Sequence, residues 1–285
     1  MDVDEYFSSG HTACAGCAMP VVVRHALNVI GKDVIVVNAT SCLEIVSSAY
    51  PRSAWGVPYV HSLFENSAAV AAGVVASLRA QGNDHTKTIV IAGDGSTYDI
   101  GFGVFSGMLE RNDDVLYICY DNEAYMNTGN QRSGSTPFGA ATTTSPAGKV
   151  VHGKIQSKKP IAEIIAAHRI PYVATASVGY MADFENKVRK AKDMKGARFI
   201  LVFSPCVAGW SYDSSKTIEL AKLIVDTGLW MLYEIENGSF KLSYRPAQFK
   251  PVADYLKMQR RFKHLNDEEI KKIQEYINDC WSRVK

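Results

Sequence analysis

The sequence predicts an α/β protein built on a parallel sheet with helices on both faces. Three observations carry this. Short β-branched runs recur, each followed by a turn and a segment with helical periodicity. Strands that alternate with helices pair in parallel and hold their connecting helices against the sheet. A chain of 285 residues, 47% of them hydrophobic, can bury a large core as one domain or two closely joined ones.

In chain order, buried strands are expected at 33–38 (DVIVVN), 87–93 (KTIVIAG), 114–121 (DVLYICYD), 172–177 (YVATAS) and 198–204 (RFILVFS). Helices are expected at 64–81, 99–111, 160–168, 180–195 and 215–228. No internal repeat or low-complexity linker interrupts them. Residues 125–159 differ, being rich in Gly, Ser, Thr and Pro without periodicity; a long irregular insert in a compact domain is usually a functional loop. After Pro251 the chain is charged and helical (LNDEEIKKIQEYINDCW), with Asn266 or Asp267 as the N-cap. It reads as a C-terminal extension, 251–285, docked on a main domain, 1–250.

Composition narrows the function. A net charge of +2 argues against nucleic acid or an anionic membrane as partner. The longest nearly uncharged run, AAVAAGVVASL at 68–78, is too short to span a bilayer. The opening MDVDEYF is acidic and lacks the basic-then-apolar pattern of a signal peptide. Six cysteines without an export signal fit the reducing cytoplasm, where paired cysteines bind metal or do redox work more often than they form disulfides.

Two motifs carry chemistry. The first, IVIAGDGSTYDIG, runs a strand into Gly93-Asp94-Gly95. It lacks the G-x-G-x-x-G spacing of a dinucleotide site and the Gly-Lys-Ser/Thr of a P-loop. It fits a carboxylate presented at the carboxyl edge of a parallel sheet, between glycines that admit a ligand to the backbone. The next strand ends in Asp121-Asn122. A right-handed crossover through the helix 99–111 would place both strand ends on one edge. Asp94 and Asn122, with a nearby backbone carbonyl, then make a hard oxygen site suited to Mg²⁺ and phosphate. Gly-Asp-Gly followed by Asn 28 positions beyond the Asp resembles the diphosphate-binding motif of thiamine diphosphate enzymes. That likeness implies a second domain, on another chain, supplying the glutamate that activates the aminopyrimidine ring.

The second motif is the pair Cys14 and Cys17 in GHTACAGCAMP, with Cys42 after the first strand and Cys206 after the strand 198–204. Cys119 lies inside an apolar strand and reads as a small buried hydrophobe, and Cys280 has no evident partner. Four thiolates suit Zn²⁺ or an iron–sulfur cluster, and one C-x₂-C with two remote single cysteines favours a 4Fe–4S cluster over zinc. A thioredoxin-type dithiol fits less well, because it opens a helix directly after a strand.

A thiamine diphosphate site beside a cluster points to oxidative decarboxylation of a 2-oxo acid, the thiamine acting as electron sink and the cluster accepting electrons singly. At this point the chain is similar to the beta subunits of the 2-oxoacid:ferredoxin oxidoreductases, most like the pyruvate branch. The resemblance covers residues 9–210. It rests on GHTACAGC, the run VVNATSC to NSAAVAAGV, GDGSTYDIGFG, YDNEAYMNTGNQRSGSTPFGA with TTTSPAG, and SPC. It implies Cys14, Cys17, Cys42 and Cys206 as cluster ligands, and Asp94, the Asn122 side chain and the Ala124 carbonyl as Mg²⁺ ligands. Gly93, Asp94, Gly95, Asn122 and Asn127 would bind the cofactor, Asn127 near its reactive end and the substrate, and 125–148 would form an active-site wall.

The resemblance also implies an alpha subunit with the pyrimidine-binding domain, gamma or delta subunits with ferredoxin-like clusters, external ferredoxin and coenzyme A. This chain lacks the glutamate and any C-x₂-C-x₂-C-x₃-C run, so alone it should not turn over. Ala141 stands where pyruvate-branch relatives often carry an aromatic, which leaves oxalate, branched-chain 2-oxo acids and aryl glyoxylates open beside pyruvate. Also open are a cluster-free thiamine enzyme with structural zinc and a non-catalytic scaffold subunit.

Among other residues, His11 reads as a cluster-tuning or a surface histidine. Glu65 and Asn66 read as helix-capping or cofactor contacts. Arg52 and Arg132 would bind an anion or an interface, while Lys158-Lys159 and the terminal lysines are expected at the solvated surface.

Overall fold

The computed structural model describes residues 5–284; Met1–Asp4, the start of the acidic opening, and Lys285 lie outside them. Eight strands form one sheet: β1 Val34–Ala39, β2 Tyr59–Ser62, β3 Lys87–Gly93, β4 Val115–Asp121, β5 Tyr172–Ser177, β6 Arg198–Phe203, β7 Leu232–Glu236 and β8 Ser239–Tyr244. Their order is β2-β1-β3-β4-β6-β5-β7-β8. The first six pair in parallel, and β7 and β8 add an antiparallel hairpin at one edge.

The helices are α1 Met19–Ile30, α2 Cys42–Ser47, α3 Ser67–Ala80, α4 Phe102–Glu110, α5 Ile161–Ala166, α6 Met181–Asp193, α7 Val207–Trp210, α8 Thr217–Asp226, α9 Val252–Lys257 and α10 Asp267–Ser282. The crossovers through α3, α4 and α5 advance across the sheet one way and that through α6 runs back. Right-handed connections therefore put α6, with α1 packed on it, on the face opposite α3, α4 and α5. Covered on both sides, β4, β5 and β6 are buried along their whole lengths, so they read as continuous apolar runs.

All five expected strands are present. The expectation missed β2, which is four residues long and half-exposed, and the antiparallel pair β7–β8. That hairpin turns on Asn237-Gly238, both at positive φ (48° and 81°), the pattern a two-residue type I′ turn needs. Also missed was α1, which opens on Met19-Pro20 and buries Val22, Val23, Ala26 and Leu27. Residues 125–159 contain no helix or strand of the sheet, as the composition implied.

In the C-terminal segment, Asn266 rather than Asp267 caps α10. Its side chain accepts from Glu269 N–H at 2.9 Å, and the Glu269 carboxylate accepts from Asn266 N–H at 2.9 Å. Ile273, Ile277 and Trp281 bury the inner face of α10, and the Trp281 indole donates to the Gly228 carbonyl at 2.9 Å.

Candidate functional site

Four neighbouring strands, β1, β3, β4 and β6, present their carboxyl ends side by side, and the chain turns directly from them into Ser41-Cys42, Asp94, Asn122 and Cys206. The crevice lies where successive crossovers leave β1 and β3 in opposite directions, the place where open α/β sheets bind ligands.

The β3–β4 register, running from Thr88↔Val115 to Gly93↔Tyr120, brings Asp94 and Asn122 level. The Asn122 amide oxygen lies 3.0 Å from Asp94 Oδ1 and 2.9 Å from the Ala124 carbonyl oxygen. Three acceptors facing one another repel unless a cation sits among them; otherwise the amide would turn and its nitrogen would donate to both. Oxygens about 3 Å apart form the edge of an octahedron with metal–oxygen distances of about 2.1 Å, the geometry Mg²⁺ demands. Asp94 is buried, and burial, reinforced by the charge of Asp121, pushes its carboxyl well above the usual range. Gly95 is sterically required: a Cβ there would stand 2.3 Å from the Tyr125 ring. Gly93 is less constrained, with Tyr120 at 3.4 Å.

Around this triad the loop 133–136 places one donor on each acidic element. Ser133 Oγ donates to Asp94 Oδ2 at 2.5 Å, Gly134 N–H to Asp99 at 2.8 Å, Ser135 Oγ to Asp121 Oδ1 at 2.5 Å and Thr136 Oγ1 to the Glu123 carbonyl at 2.6 Å. Lys154 donates from beneath to the carbonyls of Ser133, Gly134, Thr136 and Ser157.

Lys158 and Lys159 are not the solvated pair that their sequence suggests. Lys158 Nζ lies 2.8 Å from both Asp121 and Glu123, and Lys159 pairs with Asp99 at 3.2 Å. The loop folds back over these carboxylates, so that Lys158 pairs with the buried Asp121 and Glu123 and Lys159 with the partly exposed Asp99.

Cys14, Cys17, Cys42 and Cys206 line one cavity of about 260 Å³, together with Asn122, Asn127, Met126 and Tyr120. All four are free thiols. Cys17 N–H donates to the Cys14 carbonyl at 3.0 Å, closing a tight turn in which Gly16 takes φ +76° and leaves no room for a Cβ against Ser214. Burial raises Cys17 to about 11 and Cys42 to about 12, and the other thiols of the cavity add to both shifts. Among the described residues no three His, Cys, Asp or Glu side chains close round a single metal ion.

The remaining expectations divide. Asn127 is exposed on the cavity wall. His11 accepts from Ala13 N–H at 3.4 Å and stacks on Phe7, and no bond to a cysteine is among its contacts. Asn66 stands at the N-cap of α3 without a side-chain cap, and its buried Oδ1 has no partner, so the capping reading fails there. Glu65, Arg52 and Arg132 are exposed. Cys119 is fully buried in β4, and Cys280 lies partly buried on α10.

Residues 38–202, from β1 to the end of β6, match the family described as thiamine pyrophosphate enzyme, C-terminal TPP binding domain. The match contains Cys42, Asp94, Asn122 and Asn127 and leaves Cys14, Cys17 and Cys206 outside. Pyruvate synthase subunit PorB of Methanothermobacter marburgensis is 53% identical over 282 residues, covering 99% of this chain and 98% of that one. Ketoisovalerate oxidoreductase subunit VorB of Pyrococcus abyssi is 44% identical, covering 99% and 93%. The chain belongs to this family of thiamine-dependent 2-oxoacid oxidoreductase subunits. The fold of the family extends to a 2-oxoglutarate:ferredoxin oxidoreductase from Magnetococcus marinus, with a TM-score of 0.62 at 20% identity over 78% of this chain and 80% of that one.

Several residues packed round the candidate site escaped the sequence reading. Ser133, Ser135 and Thr136 had a signal, the cluster of hydroxyl residues SGST in a loop without periodicity. Glu123, which pairs with Lys158 and with Arg261 from the C-terminal segment, had none, since these contacts are tertiary.

Proposed function

We propose that this chain is the beta subunit of a pyruvate:ferredoxin oxidoreductase, holding thiamine diphosphate through Mg²⁺ and a 4Fe–4S cluster beside it. The observation that carries the reading is the shared cavity, in which four thiols meet the oxygen triad Asp94–Asn122–Ala124 through Asn122. Asp94, the Asn122 amide oxygen and the Ala124 carbonyl would hold Mg²⁺, and Cys14, Cys17, Cys42 and Cys206 the cluster. One C-x₂-C pair with two remote single cysteines on the same cavity wall supports a cubane over a tetrahedral zinc, which more often has two paired knuckles. Bound there, thiamine diphosphate supplies the electron sink for decarboxylation and the cluster the one-electron acceptor.

The chain's own residues position and neutralise. Ser133 fixes the Asp94 carboxylate, leaving Oδ1 free toward Asn122. Lys158 pairs with Asp121 and Glu123, and Lys159 with Asp99. Asn127 lies within reach of a substrate in the cavity. Pyruvate is the proposed substrate, following the relatives at 53% identity, with the pyrimidine-activating glutamate, the onward clusters and the ferredoxin contact on partner subunits in the cytoplasm, and coenzyme A as acyl acceptor.

In the assembled complex, Asp94→Ala should abolish pyruvate-dependent reduction of a viologen dye while leaving the visible charge-transfer band of the cluster. Unchanged turnover would sink the proposal and favour a scaffold subunit. Assayed beside 2-oxoisovalerate, phenylglyoxylate and oxalate, pyruvate should give the highest kcat/KM.

A further inference from the structure

Glu123 lies between the two oxygen-bearing residues of the candidate metal loop, Asn122 and Ala124, and holds φ +64°. A glutamate occupies the left-handed region only where its surroundings hold it there. Its side chain is 3% exposed, with one carboxylate oxygen 2.8 Å from Lys158 and the other 2.6 Å from Arg261 Nη2.

Arg261 comes from the far end of the chain, between α9 and α10, and is itself buried. Its Nε donates to Gln259 at 2.8 Å and its guanidinium lies 3.6 Å from the centroid of the Trp210 ring. Trp210, wholly buried at the end of α7, donates its indole N–H to the Asn122 carbonyl at 3.0 Å. The same short helix begins beside Cys206, whose sulfur accepts from Gly209 N–H at 3.4 Å. One guanidinium therefore touches the metal loop through Glu123 and the Cys206 loop through Trp210. A buried ion pair is a poor source of stability, because desolvation offsets the attraction; its better-attested use is to fix one conformation.

We propose that Arg261 is a positioning residue that ties the metal loop to the Cys206 loop, setting metal affinity on one side and the environment of the cluster on the other. This rests on the cofactor assignment above. Its planar fork serves both contacts at once, bonding the Glu123 carboxylate through Nη2 while lying over the Trp210 ring, whereas the compact ammonium of a lysine bonded to Glu123 leaves the ring uncovered.

The test uses the assembled complex with thiamine diphosphate in excess. Mg²⁺ affinity is read by calorimetry and the cluster midpoint by a potentiometric titration followed by electron paramagnetic resonance. Arg261→Met should weaken Mg²⁺ binding about tenfold or more, the usual size of an outer-shell loss, and shift the midpoint. Arg261→Lys should recover part of the Mg²⁺ affinity and none of the midpoint, and it carries both readouts if the Met variant fails to assemble. Wild-type values for both quantities overturn the proposal whatever the melting temperatures, and a change confined to one centre overturns the tie. Asp94→Ala, measured alongside, separates the two levels. If it leaves Mg²⁺ binding intact, the cofactor assignment fails; if it abolishes binding while the Arg261 variants do nothing, only the tie fails.

Discussion

Cys206 caps α7 with its own sulfur, accepting the Gly209 N–H, so it has a structural use besides its place on the cavity wall. A hydroxyl accepts the same bond. Cys206→Ser should therefore fold and assemble but lose the visible cluster band, whereas Cys119→Ser, inside β4, should keep the band; absorbance of anaerobically purified complexes checks both. With Cys17 at about 11 and Cys42 at about 12, these two thiols hold their protons at neutral pH, and binding a cluster would expel them. Cluster uptake should thus strengthen as pH rises.

At this scale the sequence was legible where chemistry repeats a short spacing. Gly93-Asp94-Gly95 followed by Asn122, and the pair Cys14–Cys17, declare themselves. Lys158-Lys159 misled, because nothing local shows that residues 125–159 fold back onto Asp121 and Asp99.

Among the elements, β4 and β6 are pinned at their start by Asp114 and Arg198, which precede and open those strands and form an ion pair. Burial would raise the Asp114 carboxyl, but the Arg198 and Lys195 charges outweigh it and hold it below the usual range. A carboxyl depressed in the folded state contributes stability above its unfolded pKa of about 3.9 and loses it as the pH falls. Asp114→Asn leaves a buried guanidinium uncompensated, at a cost of about 3 kcal/mol. The variant should melt well below wild type at pH 7, and the gap between the two melting temperatures should narrow at pH 3. The buried parallel strands were readable because both their faces are apolar. The edge elements were not, since β2 is four residues long and β7 and β8 are half-exposed or exposed along nearly all their length, although the Asn237-Gly238 turn between them was a usable hairpin signal.

For the whole molecule, one chain carries one thiamine-binding domain, matched over residues 38–202. Among the described residues no helix is long and apolar enough to cross a membrane. Purified alone, this chain should show no 2-oxoacid oxidation even with thiamine diphosphate, Mg²⁺ and its cluster restored, and activity should return on mixing with the partner subunits; a viologen assay before and after mixing decides it. The diphosphate-type motif behind that prediction was visible in the residues, as Gly93-Asp94-Gly95 followed by Asn122. The long reach of Arg261 back to Glu123 was not, because contacts over such separations leave no trace in local pattern.

The register between β3 and β4 has a consequence for heating. Six successive residue pairs, Thr88–Gly93 against Val115–Tyr120, act as a gauge block beneath Asp94 and Asn122, and both strands lie in the middle of the sheet. Central ladders are the last part of such a protein to open, and long surface loops the first. Warmth should slacken the loop 125–159 while the spacing between the two candidate oxygen ligands still holds. Inactivation that runs ahead of melting would then report a leaking lid over an intact gauge.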